Sequence, residues 1–464
     1  MHTLKKIIHY FPKAISGKEL EFTSGSIRKA VFLLSVPMVM EMMMESIFFL
    51  VDAYFVSSLG ANAIATVGLT ESVVTLVYAI AIGLSMGVTA IVARRIGEKD
   101  IPGASKAAVQ SIFLGLAVAL LISIIGILFP KEILSLMGGE PDLVAEGYGY
   151  TQVLLGGNAT IMLLFIINAV FRGAGDASVA MKVLIFSNLL NIILDPILIF
   201  GWGPIPAYGV QGAAIATTIG RGSAVLLQLL ILFLGWSKIK VGLKDIVLRM
   251  KVMINLIKVS LGGIGQFIIG TSSWVFLMRI MAEFGSEVLA GYTIAIRVLM
   301  FTLMPSWGMS NAAATLVGQN LGAGKPKRAE SSVWKTGKYN AWFMVVVSLF
   351  YLCFAEFILK VFSAEPEVIK SGALSLRIIA AGYVFYAYGM VIVQAFNGAG
   401  DTKTPTIINF FCFWVFQLPF AYVAAIYFEL GVLGVLLAIT FAEILIALIA
   451  IIWFKKGHWK KVKV

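Results

Sequence analysis

Three carboxylates, Glu41, Glu45 and Asp52, stand inside one apolar stretch, SVPMVMEMMMESIFFLVDAYFVSSLG from Ser35 to Gly60. On a helix turning about 100° per residue, steps of four and seven return near the same azimuth, so the spacing places all three acids on one face. A carboxylate at bilayer depth costs about 3 kcal/mol unless it is neutralised, paired or wetted. A row of them predicts a polar interior space and a chemistry of taking up and releasing cations or protons. Bridging between helices would satisfy the same acids without transport. A second set, Asn188, Asn191 and Asp195, is spaced three and four apart and lines one helical face. Pro196 follows it directly and frees the carbonyl of Ile192. Pro37, one turn before Glu41, predicts a bend or loosened turn over Leu33 to Pro37, and so a candidate conformational switch or a static kink.

The elements that must hold these groups are set by composition. Of 464 residues, 59% are hydrophobic and 13% charged, and the mean hydropathy is +0.94. A soluble domain would carry about 25% charged residues, so the chain reads as an all-α polytopic membrane protein. Apolar runs bounded by glycine, proline or charge give twelve spans, with cores at 31–55, 63–92, 106–129, 146–170, 178–200, 209–235, 255–280, 287–317, 339–360, 372–396, 404–428 and 431–454. With the N-terminus inside, cytoplasmic segments hold 29 of the 36 Lys and Arg. That asymmetry predicts a cytoplasmic location for both termini, in a multi-pass protein of the inner membrane. The net charge of +12 is thus topological, with the lipid bilayer rather than nucleic acid as partner. The first 30 residues lack a signal-peptide core and read as a basic lead-in that can lie as an interfacial helix, with Lys5, Lys6, Lys13, Lys18, Arg28 and Lys29 toward headgroups. Cys353 and Cys412 each fall within a span and read as buried free thiols. His2, His9 and His458 sit at the chain ends, where no zinc or haem site can be built from them, and no cofactor is expected.

Landmarks recur at a constant offset of 225. Leu59-Gly60 returns as Phe284-Gly285, Arg95-Ile96-Gly97 as Asn320-Leu321-Gly322, and FRGAGD at Phe171 to Asp176 as FNGAGD at Phe396 to Asp401. A register kept over such length means internal duplication. Six spans per half give both halves the same orientation, about an axis along the membrane normal, with a cavity possible between them. The expected organisation is a basic segment at 1–30, an N-lobe at 31–235, a linker at 236–254, a C-lobe at 255–454 and a basic tail at 455–464. The basic segment from Lys238 to Lys258 is long enough to form a linking helix on the cytoplasmic surface.

These features together resemble the multidrug and toxic compound extrusion (MATE) family across nearly the whole chain. The resemblance is carried by the SVP…LVD…LG block, the Arg-Ile-Gly and Asn-Leu-Gly-Ala-Gly loop ends, the twice-used Gly-Ala-Gly-Asp loop, NIILDP at Asn191 to Pro196 and GVQGAAIAT at Gly209 to Thr217. It implies a twelve-helix antiporter of two six-helix lobes that exports amphiphilic, often cationic, small molecules in exchange for Na⁺ or H⁺. Residue by residue it assigns ion coupling to Asp52, Asn191, Asp195 and Thr217, with Tyr150 and Asn168 as neighbours and Asn188 on the same face as Asn191. Carboxylates, amides, a hydroxyl and a loosened carbonyl suit a dehydrated Na⁺, which would take Asp52, Asn191, Asp195 and Thr217 as ligands. Two close carboxylates in low dielectric equally suit a shared proton. A satisfied polar network tying helices one, five and six is the bland alternative. The C-lobe pattern departs from the family branch that couples there: Gln266 stands where a glutamate is expected, and Tyr383, Tyr386 and Tyr388 occur on a span without aspartate.

Substrate contacts are read from Glu41, Glu45, Met44 and Gln266, methionine being a soft side chain suited to varied shapes. Arg221 and Arg297 also lie inside spans, and either can pair with a membrane acid. Two rival functions remain. A lipid-linked oligosaccharide flippase of the same superfamily would want a basic cavity for pyrophosphate, against the acids predicted here. An intramembrane aspartyl protease would use the repeated Gly-x-Gly-Asp string, yet both copies fall at helix ends beside Arg172 and Lys403, where they read as glycine turns with a capping aspartate. The chain reads as a non-enzymatic transporter, functional as a monomer because it carries both lobes.

Overall fold

The computed structural model describes residues 10–17 and 21–464, so Lys5, Lys6, Lys18, His2 and His9 lie outside the described residues. Eleven helices are long and apolar enough to cross a membrane, or twelve when one bent pair counts as a span. They are α1 (Ile27–Ser57), α2 (Ala61–Gly97), α3 (Ile101–Leu128), α4 (Pro141–Ala174), α5 (Ala177–Phe200) and α6 (Val210–Leu234) in the first half. The second half has α7 (Met250–Ala282), α8 (Ser286–Gly322), α9 (Pro326–Lys360), α10 (Pro366–Ala381 and Tyr383–Ala399, bent by 57°), α11 (Lys403–Tyr427) and α12 (Val432–Lys456). This is the all-α fold of twelve helices in two lobes that the hydropathy pattern predicts.

Local chemistry explains the ends. Pro141, Pro326 and Pro366 each open a helix, where a missing N–H costs nothing. Asp100 caps α3 by accepting the Gly103 N–H at 2.9 Å. The duplication is visible in the backbone itself. Gly175 and Gly400 close α4 and α10 at φ 88° and 87°, and Gly209 and Gly431 precede α6 and α12 at φ 55° and 57°. The first pair keeps the offset of 225. The second has 431 − 209 = 222, so the repeat shortens by three residues in the turn before its last helix.

One apolar core fills the first lobe, built on Leu84, Ile91, Ile167 and Phe171. Two more, around Tyr292 and Tyr383 and around Phe396 and Phe454, fill the second. The lobes meet mainly through α1 against α8 and α2 against α7 and α8. Among the described residues, their hydrogen bonds lie on one side: Arg94 donates to Ala399 O and Val462 O, Thr315 to Arg172 O, Gln319 to Gly173 O, and Asn397 to Met86 Sδ. This is the side of the Gly175 and Gly400 turns; none lies on the side of Gly60 and Gly285.

Three expectations are corrected. The segment between the lobes is not a linking helix: only Leu243–Asp245 is helical, as a short 3₁₀ turn, and α7 starts at Met250. Ile239 and Val241 are buried there. The backbone is pinned by Lys238 N–H to Asp176, Ser105 to Lys240 O, and Gln110 to both Val247 O and Arg249 N–H. Asp176 therefore holds the linker, with no side-chain bond to its own helix, whereas Asp401 caps by accepting from Thr404 N–H and Oγ1. Cys353 is exposed on the outer surface of its helix, and Cys412 is buried.

Candidate functional site in the first lobe and the adjoining cleft

The row of acids on α1 is buried: Glu41, Glu45 and Asp52 are 1%, 7% and 9% exposed. The helix runs unbroken through Pro37, itself buried. Across from it, α5 presents Asn188, Asn191 and Asp195 at 4%, 1% and 0%. The two helices are fastened where Asn188 Nδ2 donates to Met44 O at 2.7 Å. Further along, Asn191 Nδ2 donates to Asp195 Oδ1 at 3.2 Å. Asp52 and Asp195 stand close enough to act on one another electrostatically, and both act on the buried Tyr150. Three oxygens in this cluster, Asp52 Oδ1, Asn191 Oδ1 and Asp195 Oδ2, are buried without a hydrogen-bond partner. Such acceptors cost about 1–3 kcal/mol each, more when charged. They offer hard oxygen ligation to a small cation, or a site for a proton between two acids. Thr217 on α6 is buried, and Asn168 Oδ1 accepts from Gln228 Nε2 at 2.6 Å.

The other two acids have cationic partners. Arg172 at the end of α4 reaches Glu41 at 2.6 Å, and Arg221 on α6 reaches Glu45 at 3.1 Å. Arg221 also lies over the Phe48 ring at 4.6 Å and within 5.8 Å of Tyr78. Of the two arginines weighed from sequence, Arg221 takes the membrane acid on α1. Arg297 on α8 lies within electrostatic reach of Glu71 on α2, in the other lobe. Glu41 is thus a buried ion-pair member, not a free cavity carboxylate.

Between the lobes lies a cavity of about 210 Å³ lined by Glu45, Arg172, Tyr78, Met86, Trp307 and Asn397, among others. Met42 lines it. Met44, the expected contact, instead packs against the first lobe's core. A second cavity, of about 420 Å³, continues into the other lobe and shares Met86, Phe267, Trp307 and Gln394 with the first. Gln266 lines this one and exchanges hydrogen bonds with Asn397 at 3.0 and 3.1 Å. It also contains Glu443 of α12, an acid the sequence reading overlooked because it lies outside the stretches compared at the 225 offset.

The positions that repeat the first-lobe cluster are apolar. Asp52 corresponds to Leu277, Asn191 to Phe416 and Asp195 to Phe420. Those two phenylalanines stack at 5.4 Å, Phe416 on a segment of α11 wound more widely than an α-helix and Phe420 on the α-helical turn that follows. The polar cluster is therefore confined to one lobe.

Comparison with known proteins agrees with this architecture. The MatE family model matches residues 37–197 and again 264–423, once in each lobe. The probable multidrug resistance protein NorM of Thermotoga maritima is 29% identical over 437 residues, 94% of each chain. An FAD transporter of Shewanella oneidensis is 25% identical over 425 residues, 92% of this chain and 94% of that one. Among solved structures, an outward-facing multidrug resistance MATE transporter of the MOP superfamily superposes with a TM-score of 0.89 at 28% identity, covering 96% of this chain and 99% of that one.

Proposed function

The chain belongs to the MatE family of multidrug efflux transporters, and from that premise we propose that it exports amphiphilic cations by antiport, exchanging them for Na⁺ or H⁺ taken up between Asp52 and Asp195. The observation that carries this reading is that three oxygens on α1 and α5, Asp52 Oδ1, Asn191 Oδ1 and Asp195 Oδ2, are buried without a partner, with Asp52 within electrostatic reach of Asp195. An entering cation or proton neutralises the two carboxylates. Their mutual repulsion falls, and α1 can shift against α5 at the Asn188 to Met44 contact. Because Glu45 on the same helix lines the substrate cavity, that shift alters the cavity. Ion and substrate then oppose each other thermodynamically, as exchange requires.

In the orientation that places both termini and the basic loops in the cytoplasm of a cell with an inner membrane, the hydrogen-bonded side is cytoplasmic and the conformation is outward-open. The domain limits follow the lobes, 31–235 and 255–454, and one chain suffices for the cycle. Arg172, which lines the cavity, and the buried Arg221 both carry carboxylate partners, which disfavours a pyrophosphate-bearing lipid substrate.

The test is dye efflux from proteoliposomes under an imposed Na⁺ gradient or an imposed pH gradient, each alone. Ethidium export driven by one of them supports the antiport reading. Export under neither, with protein correctly inserted, rejects it.

A further inference from the structure

Carrying the internal repeat through its last helix, at the offset of 222 fixed by Gly209 and Gly431, makes Glu443 the counterpart of Arg221. Glu45, the partner of Arg221, lies in the part of the repeat offset by 225, so its counterpart is Gly270. The neighbouring pair behaves as the repeat requires: Arg172 with Glu41 becomes Asn397 with Gln266, still mutually hydrogen-bonded. At the second pair the sign is reversed and the partner removed. Glu443 has no ion pair or hydrogen bond among the described residues, and no charged side chain stands near enough to compensate it. The space beside Gly270 is open: a Cβ there would meet nothing closer than Phe413 at 4.0 Å. Both residues line the second cavity.

We propose that this cavity is a recognition site for a monovalent organic cation, which pairs with Glu443 in the space over Gly270 where the first lobe has a built-in partner. The first lobe indicates how the fold holds such a charge, with the Arg221 guanidinium against one carboxylate and two aromatic rings. The second cavity supplies the same kinds of group to a guest: the Glu443 carboxylate, and the rings of Trp274, Tyr386 and Phe413. Its volume of about 420 Å³ suits a drug-sized body. The inference rests on the efflux reading for its substrate class, but names a site on the opposite lobe from the ion cluster.

Binding of tetraphenylphosphonium to the purified full chain in nanodiscs, at fixed pH and Na⁺, tests it. Glu443→Gln is expected to weaken binding by at least about tenfold, and Glu443→Asp to restore most of it. Gly270→Lys, which builds in the missing cation, is expected to remove binding as well. Wild-type affinity in Glu443→Gln, or no binding to the wild-type protein, overturns the site. Ion-driven ethidium efflux with tetraphenylphosphonium affinity unmoved by Glu443→Gln would sink this inference and leave antiport standing. Loss of binding in that variant, with wild-type efflux driven by neither gradient, would do the reverse.

Discussion

At the scale of single residues, the acids of α1 divide by what faces them. Glu41 and Glu45 are ion-paired to arginines, whereas Asp52 has no ion pair or hydrogen bond among the described residues and acts electrostatically on another acid, Asp195, across two helices, with Glu71 and Arg221 also within its electrostatic reach. Removing one charge has opposite consequences in the two cases. Glu45→Gln leaves Arg221 buried at 3% side-chain exposure without its ion-pair partner, and should cost about 3 kcal/mol of stability, read as a lowered melting temperature in detergent. The double variant Glu45→Gln, Arg221→Gln should recover most of the loss, because no charge is then stranded. Asp52→Asn and Asp195→Asn relieve repulsion, so the protein should fold at least as well as wild type while gradient-driven efflux falls by about tenfold or more. Wild-type driven efflux in both aspartate variants would remove these residues from the coupling role. The acid row itself is legible in the sequence because steps of four and seven are local. Its partners are not: Arg172 lies 131 residues from Glu41, and Arg221 lies 176 from Glu45, distances only the packed lobe can close.

At the scale of elements, the spans were readable from hydropathy and glycine turns, since lipid imposes length and apolarity on every helix. What hydropathy could not convey is packing at the ends. The linker looked helical by charge and length, yet its buried Ile239 and Val241 and the bonds from Ser105, Gln110 and Asp176 hold it in an irregular path. The same blindness covers the close approach of α2 to α8. A Cβ added at Gly322 would collide with the Arg94 carbonyl, and one at Gly97 with the backbone of Gln319. Backbone cannot turn aside as a side chain does, so Gly322→Val should prise these helix ends apart. Spin labels on the ends of α2 and α8 should then report a longer distance and a larger open population on that side. An unchanged distance distribution would show that this contact does not hold the closed state.

At the scale of the whole molecule, closure involves a strap that belongs to neither helix bundle. The segment before α1 lies against the start of α9, in the other lobe. One guanidinium, Arg328, donates to Gly25 O at 2.8 Å, Ser24 O at 2.6 Å and Phe22 O at 3.2 Å, and Lys325 donates to Thr23 O at 2.9 Å. Phe22 is buried in a small apolar cluster with Leu34 of α1, Ala177 of α5 and Leu316 of α8, so the segment is seated from both sides. Parting the lobes on this side must stretch or release these bonds, which gives the strap a share in the equilibrium between the two open states. Arg328→Ala removes three of the four. Arg328→Lys keeps the charge but lacks the planar fork that reaches several carbonyls at once. If geometry is what matters, both variants should favour the state opened on the face that carries the strap, shifting the population ratio by about tenfold for a loss near 1.4 kcal/mol. If charge alone matters, Arg328→Lys should behave as wild type. Spin-label distances across that face distinguish the outcomes, and wild-type distributions in both variants would exclude the strap from the cycle.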